Sequence, residues 1–398
     1  MAASKSRLPS VPPPRVPPAG LGAPAKGGAR PRIRAGMGDV DAAFVEAFSD
    51  ESYRRATGLA QVVAPDGTAD RAALPALEPA LLRDVYRTML RIRSVDRVIE
   101  ALATSGRIGA VPSRRGTEAV VVGATAALGA EDVIAPGRRE AGASLHRGLP
   151  VSTLVAQLLG DANDLAAGRG AAGYPAFPRS LNLLPASSHA ATQLPHAAGV
   201  AWAMKMKRRP TVALAFLDAA EASAEDFHAG LNFAGVYRLP VIFVCVNDLA
   251  AQEAAGAAVP SATPETVSET VAVKALAYGI DADRVDGADL LAVLAATRAA
   301  ADRARRGEGA TLIEAVVASV AVEDDGVARF RRFLGREGLL DEQAEGALAA
   351  EVDREARAAL AAEEHVGPPP AHRMIEDVYA QTPTSLEDQL AALEKKRR

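Results

Sequence analysis

Four short runs of this chain, 132–135, 211–217, 240–246 and 311–317, are apolar at nearly every position. A strand with one wet face alternates apolar and polar residues, so runs without alternation must be covered on both faces. The stretches between them carry apolar residues at three- and four-residue steps, the spacing of a helix face. Buried strands alternating with helices predict a doubly wound α/β fold, a parallel sheet with helices on either side. Composition agrees: 49% of the residues are hydrophobic but only 4% aromatic, so Ala, Leu and Val fill the core and a β-sandwich is disfavoured.

The first strong helical pattern starts near Pro79 and runs through Leu82, Val85, Met89, Ile92 and Ile99 to a break at Ser105-Gly106. A second helix is expected at Thr117–Leu128, and others at Ala191–Lys207, Glu221–Val236, Pro264–Tyr278 and Ala288–Arg306. The Gly-, Ala- and Pro-rich segment Ala162–Pro185 reads as a long loop at one end of the sheet, and Asp341–Glu363 and Ser385–Arg398 read as helices beyond it. The expected organisation is a tail at 1–36, an arm at 37–78, an α/β domain at 79–321 and a helical carboxyl-terminal extension at 322–398. The tail holds seven basic residues, no acid and eight prolines, which favours extended, solvated chain, with organelle targeting as the alternative. Met37 is a second candidate start.

The formal charge of −4 gives no reason to expect nucleic acid as a partner. Ser180–Met204 is the longest uncharged run, but Asn182, Pro185, His189, Gln193, Pro195 and His196 make it a poor membrane span. A single cysteine, Cys245, excludes an internal disulfide, sits inside an apolar run as core filler, and suits a reducing compartment; the chain is expected in the cytoplasm. Neither the dinucleotide fingerprint nor the Lys-containing phosphate loop occurs.

The order of segments carries more. LLRDVYRTMLRIRSVDRVI, GRIG with SRRGTEA, REAGASLHRG, SSHAATQLPHAAGVAWAMK, DFHAGLNFAGVYRLPVIFVC, RVDGADLL, TLIEA, FLGREGLLDEQ and DVYAQTP succeed one another from about Leu81 to Leu393. In these blocks the chain resembles the α subunit of the thiamine-diphosphate-dependent 2-oxo acid dehydrogenases, the branched-chain type above all. The resemblance implies a thiamine-diphosphate-binding fold, Mg²⁺ and the diphosphate at strand ends, and assembly of two α with two β chains. It also implies where the cofactor ligands stand. The acidic metal-binding turn falls on Asp218, Ala219 and Ala220, without its glycines; a one-residue slip makes Asp218 the ligand. The Arg-Asn-Asn-Gly-Tyr stretch reads Val246, Asn247, Asp248, Leu249 and Ala250, so the phosphate arginine is lost and a metal-ligand asparagine has become Asp248. Of the family's Tyr-Arg pair, here Arg138-Arg139, one diphosphate arginine survives as Arg139. Ser187, Thr192 and Gln193 match the family's monovalent-cation turn, with His189 in place of its proline. The catalytic histidines and most of the cofactor-covering loop are missing between Ala315 and Asp325, and Gly168-Arg169-Gly170-Ala171-Ala172 replaces a stretch that lines the family's site.

Arg139, Asp218, Asn247 and Asp248 are therefore the candidate cofactor residues, with Asp218 and Asp248 as a weak metal pair; no catalytic residue is assigned. Against this stand plainer readings: Asp218 and Asp248 as helix-capping or solvated carboxylates, and Arg138, Arg139 and Glu140 as a surface charge group. His146, His196 and His228 fall within helices and suit packing better than ligation. The expected function is a subunit that acts through a β-subunit-like partner and self-association, binding thiamine diphosphate and Mg²⁺ weakly or not at all. An active enzyme using substitute ligands, and a module whose basic tail docks an acidic partner, are the competing readings.

Overall fold

The computed structural model describes residues 50–109, 111–170, 173–249, 268–318 and 324–397. The basic tail, the start of the arm, Ala171, Ala172, Ala250, the first residues of the helix expected from Pro264, and Ala321 lie outside them. Among the described residues the sheet has five strands: β1 (Val133–Ala135), β2 (Ala213–Asp218), β3 (Val241–Asp248), β4 (Asp281–Asp286) and β5 (Thr311–Val317). Every pairing is parallel and the order across the sheet is β1-β2-β3-β5-β4. The four apolar runs are the three central strands and the edge strand β1.

Both faces are covered, which is why these strands do not alternate in sequence. Successive side chains point to opposite faces. Leu214, Phe216, Ile242, Val244, Val246 and Ile313 pack into one layer with the helices Pro79–Thr104, Glu118–Ala126 and Leu290–Arg305. Ala213, Ala215, Leu217, Val241, Phe243 and Cys245 pack into the other with Gln193–Met206 and Glu225–Val236. Phe216 and Phe243 are fully enclosed, each a side chain whose burial contributes about 1.5–3 kcal/mol.

The helix Glu342–Glu363 lies on Pro79–Thr104 and Val151–Leu159, with Val352, Ala356 and Ala359 on its buried side. Charge pairs flank the seam: Arg87 to Glu351 at 2.6 Å, Arg91 to Glu355 at 2.8 Å, and Arg97 to Asp353. Exposed pairs of this kind contribute at most about 1 kcal/mol each, so the apolar stripe holds the helix and the charges set its register.

The structure corrects the sequence expectations in three places. β4, with the polar sequence DADRVD, was not anticipated as a strand. It lies at the sheet edge, where Arg303 and Arg55 neutralise Asp283 at 2.9 and 2.8 Å, so its charges need no apolar cover. The helix expected to reach Tyr278 is, among the described residues, a single turn at Val273–Leu276. Just before it, the Ala272 amide donates to Glu314 and the Thr270 hydroxyl to the Ala56 carbonyl, bonds that tie the chain to its neighbours rather than to a preceding helical turn. The helix expected from Glu221 starts at Glu225, after a 3₁₀ turn at Ala219–Ser223 closed by a reciprocal capping box between Asp218 and Glu221.

Candidate functional site

In open parallel sheets, loops at the carboxyl ends of the strands carry function. Here β1, β2 and β3 are neighbours, and their carboxyl ends bring Arg139, Asp218 and Asp248 together. Arg139 Nη2 donates to Asp248 Oδ2 at 2.8 Å, while Nη1 stands 3.8 Å from Asp218 Oδ1. Its Nε donates to the Ser113 carbonyl at 3.0 Å, which fixes the guanidinium against the loop before the helix Glu118–Ala126. One arginine thus bridges two carboxylates on adjacent strands. The Asp248 side chain is 6% exposed and that of Arg139 14%, whereas Asp218 keeps 36%.

Glu140, next in sequence, is wholly buried. Loss of hydration and the nearby Asp218 carboxylate push its carboxyl up to about 8, which favours the protonated form. Burial also raises Asp218, against the opposing pull of Arg139. Arg139 itself is raised: burial works against its charge, but Asp218 and Asp248 outweigh it. Glu221 completes the group, accepting from the Asp218 amide at 3.0 Å, the Ala191 amide at 3.0 Å and Gln193 Nε2 at 3.1 Å.

The remaining expected residues do not join this cluster. Asn247 is buried and donates to Glu314 Oε1 at 2.7 Å; Glu314 faces it from the middle of β5. Val246, where the resemblance puts an arginine, lies in the layer of the long helix at 1% exposure, and Ala219 is buried at 3%. In the turn likened to a monovalent-cation site, each side chain has its own partner. The Ser187 hydroxyl accepts from the His189 amide at 3.2 Å, Thr192 donates to Asp226 at 2.8 Å, and Gln193 to the Phe216 carbonyl at 2.8 Å. Among the described residues, no group of three or more His, Cys, Asp or Glu side chains is disposed to hold a metal ion. Cys245 is enclosed, with its thiol pushed well up by burial.

The reading of Arg138, Arg139 and Glu140 as a surface charge group fails for Glu140, which is 1% exposed, and for Arg139, which is pinned between strands. The plain reading of Asp218 as a capping carboxylate holds, and the same side chain also faces Arg139. Sequence reasoning gave Glu140 only a surface role and missed Glu221 and the Arg93 bridge, in which one guanidinium holds Glu118 at 2.8 Å and Asp325 at 2.7 Å. Glu314 did carry a signal: an acid inside an apolar strand run has to be paired.

Comparison with known proteins places the chain in a family. Residues 86–318, more than half of the chain, match the family model described as Dehydrogenase E1 component. The chain is 32% identical to 2-oxoisovalerate dehydrogenase subunit alpha 1, mitochondrial, of Arabidopsis thaliana, over 87% of this chain and 77% of that protein. It is 38% identical to the 2-oxoisovalerate dehydrogenase subunit alpha of Bacillus subtilis over 58% of this chain and 69% of the relative. Against the pyruvate dehydrogenase E1 component subunit alpha of Bacillus cereus it is 30% identical over 82% and 90%. Among the described residues no helix is long and apolar enough to cross a membrane. The chain belongs to the dehydrogenase E1 component family, as an α-subunit-type member of the thiamine-diphosphate-dependent 2-oxo acid dehydrogenases.

Proposed function

We propose that this chain is an α-type subunit of a branched-chain 2-oxo acid dehydrogenase-like complex that has given up cofactor chemistry and acts through assembly with a β-subunit-like chain. The observation that carries the reading is the Arg139 bridge. In the family the surviving arginine is a counter-charge to a diphosphate; here its charge is spent on Asp248 and Asp218. A Mg²⁺–diphosphate group needs several oxygen ligands and cationic partners. The donor set does not fit it: Val246 and Ala219 supply neither, and a diphosphate arriving beside Arg139 meets the two carboxylates that already hold it. No reaction step is derived through the cofactor.

The same cluster gives the active-enzyme reading its one support, since Arg139, Asp218 and Asp248 do converge at the strand ends. Calorimetry of the chain with its β-like partner separates the two. Thiamine diphosphate with Mg²⁺ is expected to show no binding in the micromolar range and no dye reduction with branched-chain 2-oxo acids. Micromolar binding with substrate-dependent reduction would establish the active enzyme instead.

For self-association, the reading rests on the outer side of Gln193–Met206. On this helix Ala197, Ala198 and Ala201 face the chain's own sheet. Gly199 and Ala203 are the exposed pair, beside a stack in which Trp202 lies 4.9 Å from Tyr237 and 5.1 Å from Phe233. This face is proposed to meet a second copy of the chain. The domain division at 36, 78 and 321, and a cytoplasmic location, belong to the same proposal; fractionation of cells expressing the full chain tests the location.

A further inference from the structure

At the β4 edge of the sheet lies an open cleft of about 550 Å³, between the helices Asp50–Thr57 and Leu290–Arg305. One wall is the face Ala292, Ala295, Ala296 and Ala299, which recur at three- and four-residue steps along their helix. The larger side chains of that helix, Leu291, Val293 and Leu294, are buried in the core, so the alanines leave a recess that no described side chain fills. Ala299 is exposed, and Leu59 at the mouth of the cleft is 52% exposed. A concave apolar surface open to water is the form of a binding site.

The rim of the cleft is basic: Arg54, Arg55, Arg284 and Arg303 line it with one acid, Asp283. Asp283 pairs with Arg55 at 2.8 Å and with Arg303 at 2.9 Å, and Asp281 stands 3.1 Å from Arg303. With those charges paired, the rim calls for no free ion. A paired guanidinium still presents a flat face, and such faces stack on aromatic rings. An alanine wall beside arginine faces therefore suits an occupant that is apolar and aromatic.

The chain supplies such an occupant beside the cleft. Residues 42–49, outside the described ones and directly before the helix Asp50–Thr57, read Ala-Ala-Phe-Val-Glu-Ala-Phe-Ser: six apolar residues, one acid and no base. Ser49 and Asp50 are residue types that start helices, so the segment can leave the helix axis there. The eight-residue helix is about 12 Å long, and the stretch from Phe44 to Phe48 spans about 16 Å when extended, so Phe44 can reach back to the level of Gly58. We propose that the cleft is the docking site of segment 42–49 of the same chain, with Phe44 and Phe48 against the alanine wall and Glu46 at the arginine rim. Attachment through so short a span holds the segment at an effective concentration in the millimolar range, which favours it over a second copy of the chain. Docked there, it covers the part of the β4 edge that the Ala60–Val285 bridge leaves open, an edge that otherwise offers pairing to another chain. This docking is independent of whether the chain is catalytic.

Thiol alkylation of the full chain tests it. Ala299→Cys puts a reporter on the alanine wall, and the one native thiol, Cys245, is enclosed and silent. Gly346→Cys, at an exposed position of the helix Glu342–Glu363 with open space around it, is the control. Adding Phe44→Ser and Phe48→Ser is expected to speed alkylation at position 299 about tenfold, the change for a segment docked about nine-tenths of the time, and to leave the control rate unchanged. With the natural segment, the slow rate at 299 is expected to hold through about a hundredfold dilution, as docking within one chain requires. Equal rates at 299 with and without the two phenylalanines, an equal rise at both reporters, or protection that is lost on dilution overturns the proposal.

Discussion

The Arg139 bridge gives a perturbation whose size follows from its geometry. Arg139→Gln removes the cation paired with Asp248, which is 6% exposed, and breaking a buried pair costs about 3–5 kcal/mol. Asp218 is 36% exposed and rehydrates, which puts the expected loss at the low end, about 3 kcal/mol. Asp248→Asn keeps an oxygen for Arg139 Nη2 and removes only the charge-assisted part of the 2.8 Å bond, about 1.5 kcal/mol. The two changes remove the same contact, so the double variant is expected to lose about 3 kcal/mol rather than the 4.5 kcal/mol of simple addition, a coupling of about 1.5 kcal/mol. The assay is urea unfolding of the full chain and the three variants, compared at constant slope. Losses that add within about 0.5 kcal/mol would refute the bridge as the group's organising contact.

Other outcomes follow from the same structure. The Glu140 carboxyl, raised from 4.5 to about 8 on folding, contributes stability that is fully present below about 4.5 and is lost as pH rises to about 8. Glu140→Gln is therefore expected to flatten the fall in stability between pH 5 and 8; unfolding curves across that range check it. Arg93→Met strands Glu118 and Asp325, both essentially unexposed, and is expected to lower stability by about 3–5 kcal/mol, which denaturant titration reads directly. Gly235→Ala would set its Cβ 2.1 Å from the Tyr278 carbonyl oxygen, a backbone atom, and is expected to cost about 1–3 kcal/mol, seen as a lower Tm. Trp202→Ser, which removes the stack on Tyr237 and Phe233, is expected to lower Tm by a few degrees at most and to weaken self-association in sedimentation at micromolar concentration.

What the sequence determined by itself was the layering. Strands of unbroken apolar character between helices admit one economical arrangement, and β2, β3 and β5 appear where the runs stand because no other placement covers both of their faces. The long helix from Pro79 was legible for the same reason: its apolar stripe is a local property of residue spacing. β4 was not legible, because its acids are neutralised by Arg55 and Arg303, which come from 228 and 20 residues away in sequence. The candidate site divides along the same line. Arg139, Asp218 and Asp248 could be singled out from the resemblance, since each stands at a motif position. That Arg139 closes on the two acids and that Glu140 is buried beside them were decided only by tertiary structure. A charged side chain's state depends on which distant charges and how much water surround it, and residue spacing along one chain encodes neither.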